Sequence, residues 1–188
     1  GDLIAFIDAD DKWKPDKIEK QIRLFENGAS FVFSNTEISG GQGKDFILFD
    51  YAPPEIDNIF NSLLEKDFIT TSSVMCASNI KLRFEERKYA SEDFLLWCLI
   101  IFEGYDVYKS DKPLSCIHKL PYGEGGLSGN LLAMEIGALK SYKSLFFAKH
   151  ISFFSFLFFS FFEILKFLRR VISRAIGMKF LKRWIFVD

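Results

Sequence analysis

The chain opens on an unbroken apolar run, Leu3 to Ile7, that stops at Asp8. That pattern predicts a buried parallel strand delivering acidic residues at its carboxyl end. Pro15 then suits the first position of a helix, because its fixed φ and missing N–H cost nothing there. Ile18, Ile22 and Phe25 recur at i, i+4 and i+7, which predicts one buried helix face, and Gly28 is a fitting stop. Ser30 to Ile38 alternates as a strand does, and Gly40-Gly41-Gln42-Gly43 reads as a flexible turn. A short helix near Asp57–Lys66 and a strand through Ile69–Ala77, rich in β-branched residues, follow. Ser91 is placed as an N-cap, with Glu92 and Asp93 in the first turn of a buried helix over Phe94–Phe102 that ends at Gly104. Two strands, about Tyr105–Lys109 and Pro113–Lys119, lead through a loop at Pro121–Gly126 to helices from about Leu131 onward. Strands and helices alternate, so the expected class is α/β.

Composition sharpens this. The 188 residues are 49% hydrophobic and 26% charged, which excludes a disordered polymer, a collagen-like chain and a histone-like basic binder. Three cysteines, Cys76, Cys98 and Cys116, stand far apart and in no CxxC pair, so neither a disulfide scaffold nor a zinc knuckle is expected, and a reducing compartment fits better. The chain begins at Gly1 and runs straight into its first strand, with no initiator Met and no signal-peptide n-region, which reads as entry partway through a domain.

The net charge of −1 hides an asymmetry. Residues 1–140 carry 15 basic and 23 acidic side chains, whereas residues 141–188 carry 9 and 2. We therefore expect an acidic, soluble body over 1–140 and a helical, basic, Phe-rich tail over 141–188. Ile151 to Phe162 is almost entirely aromatic and aliphatic, but twelve helical residues span only about 18 Å, short of a hydrocarbon core of about 30 Å. Widening the window to Leu145–Leu168 takes in Lys149, His150, Glu163 and Lys166, which are costly in a bilayer centre. Lys166, Arg169, Arg170, Arg174, Lys179, Lys182 and Arg183 follow. The expected arrangement is a helix lying on an anionic membrane surface at the cytoplasmic face, with one spanning helix or packing within the protein as the rivals. Nucleic acid is not an expected partner, because the basic cluster has greasy neighbours and the body is acidic.

Candidate chemistry lies in the acids. Asp8, Asp10 and Asp11 close the first strand, and three such carboxylates repel one another unless a cation neutralises them. Oxygen ligands of this kind favour Mg²⁺ or Mn²⁺ shared with substrate phosphates; the alternative is an ordinary polar turn, where Asp is common. Ser91-Glu92-Asp93 fits first a helix cap whose two acids favour the dipole, and the alternative is Asp93 as a general base. His118, ending a predicted strand, is either structural or placed where α/β folds bind ligands. His150 has no polar company and is assigned no role.

Three stretches together resemble the inverting family-2 glycosyltransferases of the GT-A fold: Phe6-Ile7-Asp8-Ala9-Asp10-Asp11-Lys12-Trp13-Lys14-Pro15-Asp16-Lys17-Ile18, Ser91-Glu92-Asp93-Phe94-Leu95-Leu96-Trp97, and Lys112-Pro113-Leu114 through His118 with the loop Gly125–Asn130. The resemblance implies a Rossmann-like mixed sheet flanked by helices, its nucleotide-binding first half lying ahead of Gly1, and a chain inactive in isolation. It implies a nucleotide-sugar donor and a glycan or lipid-linked acceptor of cell-surface polysaccharide synthesis. It implies that Asp10 and His118 hold the metal, that Asp8, Asp11, Trp97 and Ser128 contact substrates, and that Asp93 is the base with Glu92 orienting that site. Members often carry Arg before the late-strand His, where this chain has Ile117. Two other readings remain at this point. A haloacid-dehalogenase-type phosphatase also opens on strand-Asp-x-Asp, although Lys12 and the lack of a downstream Gly-Asp-x-x-x-Asp disagree. A non-catalytic membrane-bound adaptor needs none of the acids.

Overall fold

The computed structural model describes residues 1–38, 46–47, 58–86, 90–118 and 129–175. The Gly40–Gly43 turn, the Pro121–Gly126 loop, Ser128 and the basic residues from Lys179 onward lie outside the described residues. The chain divides into two compact units, one of Gly1–Phe84 with Leu96–Leu120, the other of Glu85–Leu95 with Pro121–Asp188.

The first unit is a mixed α/β structure. Its strands are β1 (Leu3–Ala5), β2 (Lys12–Trp13), β3 (Phe31–Ile38), β4 (Phe46–Ile47), β5 (Met75–Ala77) and β6 (Val107–Ile117). They form one sheet in the order β1-β5-β3-β6-β2, with β4 also on β3. Among the described residues only β3 and β6 pair in parallel; the other neighbours are antiparallel. The helices are α1 (Lys17–Glu26), α2 (Ile59–Glu65) and the greater part of α3 (Glu92–Phe102). Central β3 is buried along nearly its whole length, and Phe31, Phe33, Leu63, Leu64, Trp97 and Leu114 fill the core.

Several elements depart from their sequence patterns for identifiable reasons. β1 is antiparallel to β5 and ends the described strand order, so Ile4 and Ile7 are exposed despite the apolar run. Ile69–Ala77 is not one strand: Thr71–Ser73 turns as a 3₁₀ helix, and only Met75–Ala77 joins the sheet. The two late strands are one, β6, in which the register against β3 jumps from Ser34–Ser110 to Thr36–Ser115. The extra residues on β6 make a bulge that contains Pro113, where the missing N–H breaks no ladder bond. Helix α1 buries Lys17 and Gln21, not the expected face, and leaves Ile18 and Ile22 each 37% exposed.

In the second unit, α4 (Leu131–Phe147) and α5 (Phe153–Ala175) pack on each other. Asn130 caps α4 by accepting from Ala133 N–H at 3.1 Å. The first turn of α3 rests on α4 through three contacts. Gly137 lies so close to Ala90 that a Cβ there would come within 2.5 Å of the Ala90 carbonyl oxygen. Ser141 Oγ donates to the Ser91 carbonyl at 3.3 Å, and the rings of Phe94 and Tyr142 meet edge to face. Tyr142 and Phe146 stack on Phe159 and Phe156 of α5. Elsewhere on the same pair of helices, Arg170 donates to Glu135 at 3.2 Å and to Glu163 at 3.0 Å. Burial, then the neighbouring Glu163 carboxylate, pushes the Glu135 pKa up to about 7.

Candidate functional site

The acidic segment after β1 is a closed turn. Asp11 N–H donates to the Asp8 carbonyl at 3.0 Å, the i to i+3 bond of a β-turn, which puts Ala9 and Asp10 at an exposed tip. Both ends of that turn meet one hydroxyl. Ser72 Oγ accepts from Asp8 N–H at 2.9 Å and donates to the Asp11 carboxylate. Immediately beyond the turn, Trp13 Nε1–H donates to the Ser72 carbonyl at 3.0 Å. Asp8 and Asp10 are exposed and Asp11 is half-buried, so the carboxylates of the turn lie in different surroundings despite their closeness in sequence.

Strand β2 sets what faces the turn. Lys12 pairs with Cys116 and Trp13 with Ser115, antiparallel. The chain just before Lys12 therefore runs alongside the chain just after Cys116. The Asp8–Asp11 turn and exposed His118, which follows the last residue of β6, share one end of that ladder.

Helix α1 locks this end from below. Lys17, fully buried, donates to Gln21 Oε1 at 2.6 Å and to the Val74 carbonyl at 3.4 Å, and its ammonium lies 4.7 Å from the Trp13 ring centroid. Gln21 Nε2 donates to the Ser73 carbonyl at 2.8 Å. Burial draws the Lys17 pKa down to about 8, because charge is costly away from water. Neither Lys17, Gln21 nor Ser72 was singled out from sequence.

Trp97 is placed differently from the expected substrate contact. It is 0% exposed, with Phe6, Phe31 and Phe84 around it at centroid distances of 5.1–5.9 Å. A side chain without surface cannot touch a substrate; Trp97 instead seats Phe6, two residues ahead of Asp8. Glu92 and Asp93 begin α3 and belong to the second unit. Asp93 Oδ1 accepts from Phe94 N–H at 2.8 Å, and Glu92 Oε2 is buried without a hydrogen-bond partner. Ser91, expected as an extended N-cap, has φ +54°, a left-handed conformation that is strained for serine.

Residues 1–85 match the family described as Glycosyl transferase family 2. Three curated bacterial proteins are similar over a longer stretch. TuaG of Bacillus subtilis (strain 168), named for teichuronic acid biosynthesis, is 26% identical over 125 residues, covering 61% of this chain and 46% of its own. WfaP and WfgD of Escherichia coli, each named UDP-Glc:alpha-D-GlcNAc-diphosphoundecaprenol beta-1,3-glucosyltransferase, are 32% and 33% identical, covering 55% and 54% of this chain and 40% and 39% of their own. The chain thus spans less than half the length of the relatives it matches.

Proposed function

We propose that this chain carries part of an inverting, divalent-metal-dependent sugar transferase of GT-A-like fold, acting from a nucleotide-sugar onto a glycan or lipid-linked acceptor in cell-surface polysaccharide synthesis. The observation that carries this reading is the hydrogen-bonded Asp8–Asp11 turn, which holds Asp10 exposed at its tip inside the segment that matches the family. Among the described residues no three His, Cys, Asp or Glu side chains gather to hold a metal by themselves. The turn offers oxygen donors only, and Mg²⁺ at nucleotide sites takes one or two carboxylates and completes its shell with water and substrate phosphates. The turn fits that requirement, with Asp10 and the His118 imidazole as the ligands.

The roles then follow. Asp8 contacts the donor, and Asp11, tied to Ser72, keeps the turn closed. Asp93, in the first turn of a helix, takes the acceptor hydroxyl proton as the oxygen attacks the anomeric carbon on the face opposite the diphosphate, and inversion results. Glu92 flanks it, and Ser128 remains a candidate donor contact. A bound divalent cation supplies charge neutralisation for the departing diphosphate. The test is transfer from a nucleotide-sugar panel, headed by UDP-glucose, in the natural polypeptide that carries this sequence. Transfer that stops with EDTA, returns with Mn²⁺ or Mg²⁺ and inverts the anomeric centre supports the reading. Full turnover in EDTA contradicts it.

The helical hairpin adds a location. Among the described residues no helix is long and apolar enough to cross a membrane. Yet α5 exposes Phe154, Leu157, Phe158, Phe161 and Leu165, with Phe154 81% exposed. On α4, Leu132, Ile136 and Phe147 share an exposed stripe with Lys140 and Lys143. An apolar face edged by lysines suits the headgroup region of an anionic leaflet, where the ammonium groups stay wet. Part of the expected basic set is occupied elsewhere: Lys166 pairs with Glu163, Arg170 with both glutamates, and Arg174 donates to the Gly129 carbonyl. We expect flotation with phosphatidylglycerol-rich vesicles, weakened at least about tenfold by F154E/F161E, since each buried phenylalanine is worth roughly 1.5–3 kcal/mol. A protein that ignores vesicles and forms a dimer split by the same substitutions would make this face a subunit seam.

A further inference from the structure

Three consecutive backbone carbonyls, those of residues 72, 73 and 74, each accept a hydrogen bond from a side chain of the segment following the acidic turn. The donors are Trp13 to residue 72, Gln21 to residue 73 and Lys17 to residue 74. Lys17 and Gln21 lie four residues apart on one face of α1, and Trp13 comes from β2 just ahead of that helix. Val74 also accepts from Phe6 N–H at 3.2 Å, which ties the same segment to the chain leading out of β1. Ser72 and Ser73 are 0% exposed and Lys17 and Gln21 likewise, so these bonds are sheltered from water. A buried lysine is an expensive way to fill a core, and simple packing would have used an aliphatic residue. What the expense secures is the placement of one hydroxyl, Ser72 Oγ, which grips the first residue of the acidic turn by its N–H and the last by its carboxylate.

We propose that Ser72 is a positioning residue for Asp10, fixed in place by the side-chain donors of Trp13, Lys17 and Gln21. Held at both ends, the turn has little freedom left, and the Asp10 carboxylate at its tip is presented to the metal and donor diphosphate already in place. Without that hydroxyl the Asp8–Asp11 turn samples other conformations and must be ordered when the donor binds, which weakens binding and leaves the chemical step alone. This inference rests on the reading of Asp10 as the metal and donor carboxylate.

The experiment measures donor KM, the Mn²⁺ concentration for half-activation, kcat and the melting temperature in the natural polypeptide. Ser72→Ala is expected to raise both KM and the Mn²⁺ requirement about tenfold, the size expected for two lost hydrogen bonds of ordinary strength, with kcat within about twofold. Lys17→Met, removing one donor of three, moves the same two constants in the same direction by about threefold. Ser72→Ala combined with Asp11→Asn costs less than the product of the two, because both act on one bond. Unchanged KM and Mn²⁺ requirement in Ser72→Ala, with or without a lower melting temperature, overturns the inference; so does a fall confined to kcat. Asp10→Asn separates the two levels: if it leaves the Mn²⁺ requirement intact, the reading of the site itself fails, whereas if it abolishes Mn²⁺ activation and Ser72→Ala does nothing, only the positioning role fails.

Discussion

Asparagine in place of Asp10 is expected to lower transfer by about 10²–10³-fold, the range seen when one preorganised stabiliser of developing charge is removed. The substitution keeps the shape of the side chain and deletes only its charge. The turn itself is closed by the Asp8 carbonyl with Asp11 N–H and by Ser72, none of which involves the Asp10 side chain in those bonds. The backbone closure of the turn should therefore persist while the Mn²⁺ requirement rises steeply. A thermally unchanged Asp10→Asn protein with full activity would remove the turn from the reaction.

The second large effect is expected at Asp93. Asp93→Asn should cut kcat by about 10²–10⁴-fold, the usual contribution of a positioned general base, with donor binding unchanged. The local structure makes a clean test. Asp93 Oδ1 accepts from Phe94 N–H, and an asparagine carbonyl oxygen can take the same bond, so the start of α3 is retained. Its supports, Gly137 against Ala90 and Ser141 on the Ser91 carbonyl, do not touch the carboxylate. Loss of donor affinity in Asp93→Asn would point to a binding role instead, and unchanged transfer would place the base elsewhere.

How far the sequence could be read depended on whether the deciding partner was local. Helix α3 with its stop at Gly104, the long strand β3, α2 and the tail helices were visible because periodicity, turn residues and length decide them. The apolar run of β1 promised burial, but burial depends on neighbours, and β1 has a described strand on one side only. Ile18, Ile22 and Phe25 drew attention as the apolar stripe of α1, while Lys17 and Gln21 looked like its wet side. Their partners are carbonyls more than fifty residues away, so nothing nearby could reveal that the polar stripe is the buried one. Pro113 suggested a break between two strands; a bulge accommodates it inside one. The acids themselves were legible as a cluster, and resemblance gave them roles. Ser72, which holds them, carried no signal of its own.

The most direct test of the central claim is Mn²⁺ binding followed by electron paramagnetic resonance, with and without a nucleoside diphosphate such as UDP, in the parent and in Asp10→Asn. The account predicts weak Mn²⁺ binding alone, at least about tenfold tighter binding with the diphosphate present, and loss of that gain in Asp10→Asn. Equal Mn²⁺-diphosphate affinity in the two proteins would contradict it.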